Sequence, residues 1–245
     1  MSETSQHDIA CPTCGAEQRV ELIDTLSVDE HPEGRTALLK GEINRVTCPK
    51  CGGLFRIDKP MTYRDKENEI FILYDPLVAG RTLPDVEKTF QEGQKLFREV
   101  WPAGVALPEM NLVVEWTELV ERVLLLEEGL DVRIVEHIKY MMYQQHPGQI
   151  PAASKNLVFD EPDSTDEQLC FVVQDRHSHK LEKQFFVARS DYEALLNVFD
   201  LNANWNLLVE QFPGPYICGR LRFLMDQREE GFGGEAEEPG AGAPR

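Results

Sequence analysis

Basic residues are scarce in this chain. Its 25 Lys and Arg stand against 43 Asp and Glu, so 245 residues carry a net charge of -18. Nucleic-acid binding draws on Lys and Arg to neutralise phosphates, and an acidic chain is repelled at long range. The basic residues are scattered singly among acids, with no local patch to override the total. Direct nucleic-acid binding is therefore not expected. Long apolar runs are missing as well. Nothing approaches the roughly 18–20 residues that span a bilayer, and Met1 to Ala10 is polar where a secretory leader is apolar. Neither a membrane span nor export is expected. No G-x-G-x-x-G, Walker loop, G-x-S-x-G or H-E-x-x-H occurs. The commonest sequence signatures of nucleotide, esterase and metalloprotease chemistry are thus absent.

Cysteines are few, and four of the six fall in a repeated knuckle: Cys11-Pro12-Thr13-Cys14-Gly15 and Cys48-Pro49-Lys50-Cys51-Gly52. Two C-P-x-C-G copies are the signature of one tetrahedral Cys₄ site, with Cys11, Cys14, Cys48 and Cys51 as ligands. Each C-x-x-C lets one tight turn supply two sulfurs. The Pro fixes φ, and the Gly can take φ > 0 while backbone N–H groups point back at the sulfurs. Four thiolates leave no open coordination position, so a structural zinc, one per chain, is the first expectation. A rubredoxin-type iron also suits tetrahedral S₄. A thioredoxin-like redox pair needs a βαβ context and occurs once, not twice. Cysteines used this way fit a reducing cytoplasm. Cys170, in an apolar run, and Cys218 read as buried small hydrophobes.

The spacer between the knuckles must hold structure of its own. Residues 18–23 and 38–46 read as two strands, with Asp29 to Gly34 as the turn between them, a hairpin that returns the second knuckle to the first. Residues 54–58 and 69–74 read as further strands, with Lys59-Pro60 and Arg64 to Asn68 as turns. From Pro84 the period becomes helical, through Val86, Phe90, Phe97 and Val100, until Pro102. Residues 112–114 suggest a short strand. Thr117 is then a candidate cap for a helix ending at Gly129, and Asp131 for a second that runs to Pro147. The apolar stripes of this helical pair suit a core, or a partner groove.

Beyond Pro151, residues 156–159, 167–174 and 183–188 read as strands, and Ser190 with Glu193 as a capping box. The expected fold is α+β: an N-terminal Cys₄ zinc ribbon with an extended antiparallel hairpin, a helical middle segment and a β-rich C-terminal part. The expected division is 1–150 for the ribbon and helical domain and 151–228 for the β-rich domain. Residues 229–245 form an acidic Gly/Pro-rich tail whose composition predicts disorder.

The paired knuckles together with the segment from Glu118 to Lys139 resemble the bacterial CpXC family, over about residues 9–145. Its turn reads Glu128-Gly129-Leu130-Asp131-Val132 here, with Val132 where a second acid is usual. The resemblance implies Cys11, Cys14, Cys48 and Cys51 as metal ligands, a bacterial cytoplasmic setting and no catalytic residues.

Other constellations favour bland readings. His177-Ser178-His179 near Asp175 fits a solvated hairpin loop better than a second metal site. Asp160 to Glu167 lacks the turn glycine of a calcium loop. Tyr63, Phe71, Tyr74 and Trp101 suit core packing, with an exposed aromatic surface as the alternative. Three functional classes remain. The first is a protein-interaction module, adaptor or regulatory, without its own catalysis, whose acidic balance favours a basic protein surface. The second is a transcription-associated zinc ribbon acting through protein contacts. The third is an enzyme built on scattered residues such as Asp131, Glu136, His137 or Tyr140.

Overall fold

The computed structural model describes residues 2–78, 80–102, 104, 107–200 and 204–229. Strand β1 (Glu3–Ala10) pairs antiparallel with β2 (Glu17–Ser27), so the extended hairpin lies around the first knuckle rather than between the two. Here the polar N-terminus is a strand, its alternate residues half-buried. The expected strand at 38–46 is corrected. Leu38 and Leu39 end helix α1 (Glu33–Leu39), and only Arg45–Thr47 forms strand β3. A short apolar run does not distinguish strand from helix. Here Ala37 and Leu38 pack with Leu26, Ile43 and Tyr63 on a helical face.

Strand β4 (Leu54–Arg56) pairs with β3, so the second knuckle is again the turn of an antiparallel hairpin. Strand β5 (Met61–Asp65) takes in residues expected as turn. Its partner β6 (Ile70–Tyr74) follows a turn in which Asp65 accepts hydrogen bonds from the Asn68 backbone and side chain. Helix α2 (Leu83–Val100) opens on a Thr82/Asp85 capping box with Pro84 in its first turn. Strand β7 (Met110–Val113) completes a five-stranded sheet of order β1-β2-β5-β6-β7.

The helical pair is α3 (Trp116–Glu127) and α4 (Val132–Gln145). Glu115, not Thr117, caps α3, because its carboxylate forms a reciprocal box with Glu118. Gly129 takes the left-handed conformation (φ 66°) that ends α3, and Asp131 caps α4 through the Ile134 N–H at 3.0 Å. Strands β8 (Lys155–Asp160), β9 (Gln168–Asp175) and β10 (Leu181–Ala188) form an antiparallel sheet of order β10-β9-β8. Helices α5 (Arg189–Asp200), α6 (Trp205–Gln211) and α7 (Gly219–Glu229) follow. Because α5 starts at Arg189, Ser190 lies in its first turn and not at its cap. Apart from Glu229, which ends α7, the tail expected to be disordered lies outside the described residues.

The fold is α+β, with the cysteine cluster near the N-terminus and a β-rich C-terminal part. Helix α3 serves two cores. Leu119 and Val123 pack against the N-terminal sheet with Tyr63, Ile72 and Tyr74. Leu125 joins Ile134, Ile138 and Met142 of α4 against Phe159, Phe171 and Phe223. The apolar stripes of the helical pair are therefore mostly core.

Candidate metal centre and the buried ion cluster

The two knuckles fold alike because their local hydrogen bonds are alike. Gly15 N–H donates to the Cys11 carbonyl at 2.8 Å, and Gly52 N–H to the Cys48 carbonyl at 2.9 Å. Cys11 N–H closes the first turn on Ala16, and Cys48 N–H the second on Gly53. Both turns need a left-handed residue, and Gly15 (φ 68°) and Gly52 (φ 70°) supply it. Each knuckle joins the two strands of a hairpin, so two hairpin ends face each other.

All four Sγ atoms lie within 4.8 Å of one another. Cys11–Cys51 and Cys14–Cys48 are each 3.7 Å apart. A tetrahedral site with Zn–S bonds of about 2.3 Å has S···S edges of about 3.8 Å. The donor set thus fits a tetrahedral metal ion without rearrangement. Cys11 and Cys48 are buried, whereas Cys14 and Cys51 reach the surface.

The protons on this cluster are in conflict. For Cys11, burial opposes ionisation, but the Cys14 and Thr13 N–H groups and neighbouring thiols lower its pKa to about 6. For Cys14, the Ala16 N–H favours the thiolate, but burial and the other three thiols raise its pKa to about 12. Backbone N–H groups lower Cys48, while for Cys51 the Gly53 N–H and the Cys14 thiol favour the thiolate but are outweighed by the Cys48 and Cys11 thiols and burial, so it is raised. Four adjacent thiolates repel one another unless a cation sits between them, and a metal ion deprotonates its ligands outright.

Of the remaining sequence candidates, Asp160, Asp163 and Cys170 bring ligand atoms within 4.8 Å of one another, His137 and Tyr140 stack with ring centroids 6.4 Å apart, and Glu136 joins an ion cluster with Lys139. Asp131 caps α4, His137 Nδ1 lies 2.7 Å from Gln211 Oε1, and Tyr140 donates to Asp226. His177 and His179 sit in the β9–β10 turn, where Asp175 accepts from the His177 and Ser178 N–H groups. The Ser178 N–H, with Lys155 and the Ser178 hydroxyl, holds the Asp175 carboxyl well below the usual carboxylate range. Tyr63 and Tyr74 are core. Phe71 is half-buried and 5.7 Å from Phe97, which is 4.7 Å from Trp101. Cys170 is buried and its pKa rises to about 11. Cys218, expected to be buried, is only half-buried, and desolvation with the Glu118 and Glu136 charges pushes its pKa up to about 12.

A cluster of which the sequence reading named only Glu136 lies between α3 and α4. Lys139 Nζ is 2.6 Å from Glu121 Oε1 and 2.9 Å from Glu136 Oε1, and all three residues are at most 5% exposed. Each carboxylate also holds backbone from elsewhere. Glu121 accepts from Phe159 N–H of β8 at 2.6 Å, and Glu136 from Gly219 N–H at the start of α7 at 2.7 Å. Burial works against the Lys139 ammonium, but Glu121 and Glu136 outweigh it and hold its pKa above the usual lysine range. Beside this triad, Arg122 donates to Asn111 Oδ1, and Tyr216 donates to Glu118. A cavity of about 30 Å³ lies among these groups. The available signal was periodic: Glu136, Lys139 and Tyr143 recur every three or four residues beside the apolar stripe of α4.

Among the described residues no helix is long and apolar enough to cross a membrane. A family model described as CpXC protein matches residues 9–139. That span contains all four clustered cysteines and the whole Glu121–Glu136–Lys139 triad. No curated protein and no solved structure matches the chain.

Proposed function

The chain belongs to the CpXC protein family, and from that premise we propose that it is a zinc-stabilised, cytoplasmic protein-interaction module without catalysis of its own. One zinc per chain, held by Cys11, Cys14, Cys48 and Cys51, clamps the two hairpin ends. The metal has a structural role, since four sulfurs leave no position for water or substrate. Residues 1–150 act as the platform and 151–228 present the recognition surface. Packing through α3 and α4 makes that surface rigid relative to the metal site.

The observation that carries this reading is the fate of the chemically capable side chains. Glu118, Glu121, Glu136, Lys139 and Tyr216 are committed to helix starts, strand backbone or each other. The cavity among them, at about 30 Å³, has room for about one water. With a net charge of -18, the preferred partner is a protein with a basic surface.

The test is affinity capture from native lysate with the zinc-loaded chain, with and without nuclease and over a salt series. A specific basic protein that survives nuclease and is lost at high salt supports the module. Capture that disappears with nuclease moves the assignment to nucleic-acid-associated machinery, and no enrichment removes the interaction role.

A further inference from the structure

The β10-β9-β8 sheet protects one edge and leaves the other open. On the β8 edge, Leu157 N–H donates to the Tyr143 hydroxyl and Phe159 N–H to Glu121. Both groups therefore point away from β9. Backbone groups alternate sides along a strand. Phe159 opposes Phe171, and Phe171 opposes Phe185, so Phe185 turns its N–H and C=O toward β9. The Arg189 N–H to Glu167 bond, four residues on, has the same phase. Gln184 and Phe186 must then turn their backbone groups outward. Among the described residues nothing pairs with them there.

Natural sheets usually blunt such an edge with charge, bulges or cover. The first half of β10 has Glu182, Lys183 and a register shift, but the second half reads Phe185-Phe186-Val187-Ala188. Phe186 is 51% exposed. Beside this half opens a groove of about 510 Å³ bounded by β10, α4 and α5. Met141, Phe185, Leu195 and Val198 give it an apolar lining, and Val198 is 50% exposed. Asp191, in the first turn of α5, is the lining carboxylate, exposed and without an ionic partner among the described residues. Lys183, at the far end of the strand, is engaged with Gln149 and lies over the Phe185 ring. Strand β1, an edge of the separate five-stranded sheet, carries mostly polar residues.

We propose that the β10 edge and this groove bind an extended peptide segment of another protein as a fourth strand. Backbone bonds to Gln184 and Phe186 fix the peptide, its alternate apolar side chains enter the groove, and a basic side chain meets Asp191. The inference rests on the interaction-module reading and names its surface. Charge selects the occupant: a second copy of this chain brings another -18 to the contact, whereas a basic segment is attracted.

The experiment selects a displayed random dodecapeptide library against the full, zinc-loaded chain, then titrates synthetic versions of the enriched peptides. We expect alternating apolar residues with one Lys or Arg. Phe186→Pro, which removes an outward N–H at an edge position, should weaken binding about tenfold or more. Asp191→Lys, on an exposed helix turn, should weaken it about fivefold, the size of an exposed ion pair. N-methylation of alternate peptide residues should abolish binding, and this control does not depend on any variant folding. No enrichment, or peptides insensitive to both substitutions, overturns the proposal. A wild-type dimer that Phe186→Pro renders monomeric gives the edge to a second copy and also overturns it. If a captured basic protein is retained by both variants, this surface falls while the module reading stands.

Discussion

Replacing Lys139 by Met removes the ammonium that sits between two buried carboxylates. Glu121 and Glu136 then remain in place, because Phe159 N–H and Gly219 N–H still need their acceptors. Breaking a buried ion pair by deleting one partner costs about 3–5 kcal/mol. A whole domain has only about 5–15 kcal/mol of stability, so the loss is a large fraction. At roughly 2–4 °C per kcal/mol for a chain of this size, the midpoint falls by about 6–20 °C. The sign of the pH dependence is also fixed. Burial already holds the Glu121 carboxyl above its ordinary range, and Lys139 opposes that rise, so losing the cation raises it further. Its stabilising protonation is present at low pH and lost as pH rises, so the deficit of Lys139→Met should shrink from pH 7 toward pH 5. Thermal melts by circular dichroism on zinc-loaded protein at both pH values measure this. A loss below about 1 kcal/mol at pH 7, or a deficit that grows on acidification, would refute the reasoning.

Other positions test other joints of the fold. Gly219→Ala places a Cβ 2.1 Å from the Glu136 carbonyl oxygen, so α7 should separate from α4, seen as faster hydrogen exchange in residues 219–229. Asp131→Ala removes the α4 cap and should cost about 1 kcal/mol in a denaturant titration. Because the Asp175 carboxyl is held below its ordinary range, its contribution is present above the unfolded pKa and lost as pH falls through the folded one. Asp175→Asn should therefore flatten the stability profile on the acid side of pH 4, and an unchanged profile would discard the assignment. Cys11→Ser should both lower metal content and leave the two hairpin ends unclamped, measured as protease sensitivity at residues 11–16 and 48–53.

What the sequence revealed depended on how local each signal was. The knuckles were legible because spacing, Pro and Gly each reflect a requirement of one turn. The caps at Asp131 and Gly129 and most strands were legible for the same reason. Leu38 and Leu39 misled because two adjacent apolar residues fit either period, and packing against Leu26 and Tyr63 decided for a helix. Thr117 lost the α3 cap to Glu115 because the longer carboxylate reaches the first turn and closes a reciprocal box with Glu118. The ion triad was hidden for a different reason. Glu121, Glu136 and Lys139 look like ordinary helix-surface charges until β8 and α7 cover them, and no spacing rule announces which charges a later segment will bury.

The central claim is a structural Cys₄ zinc, and elemental analysis of the purified full chain, paired with hydrogen exchange before and after chelation, tests it most directly. We expect one zinc per chain and, on its removal, loss of protection in both knuckle hairpins while the β10-β9-β8 sheet stays protected. Well under one metal per chain, iron in place of zinc, or knuckles equally protected after chelation would contradict it.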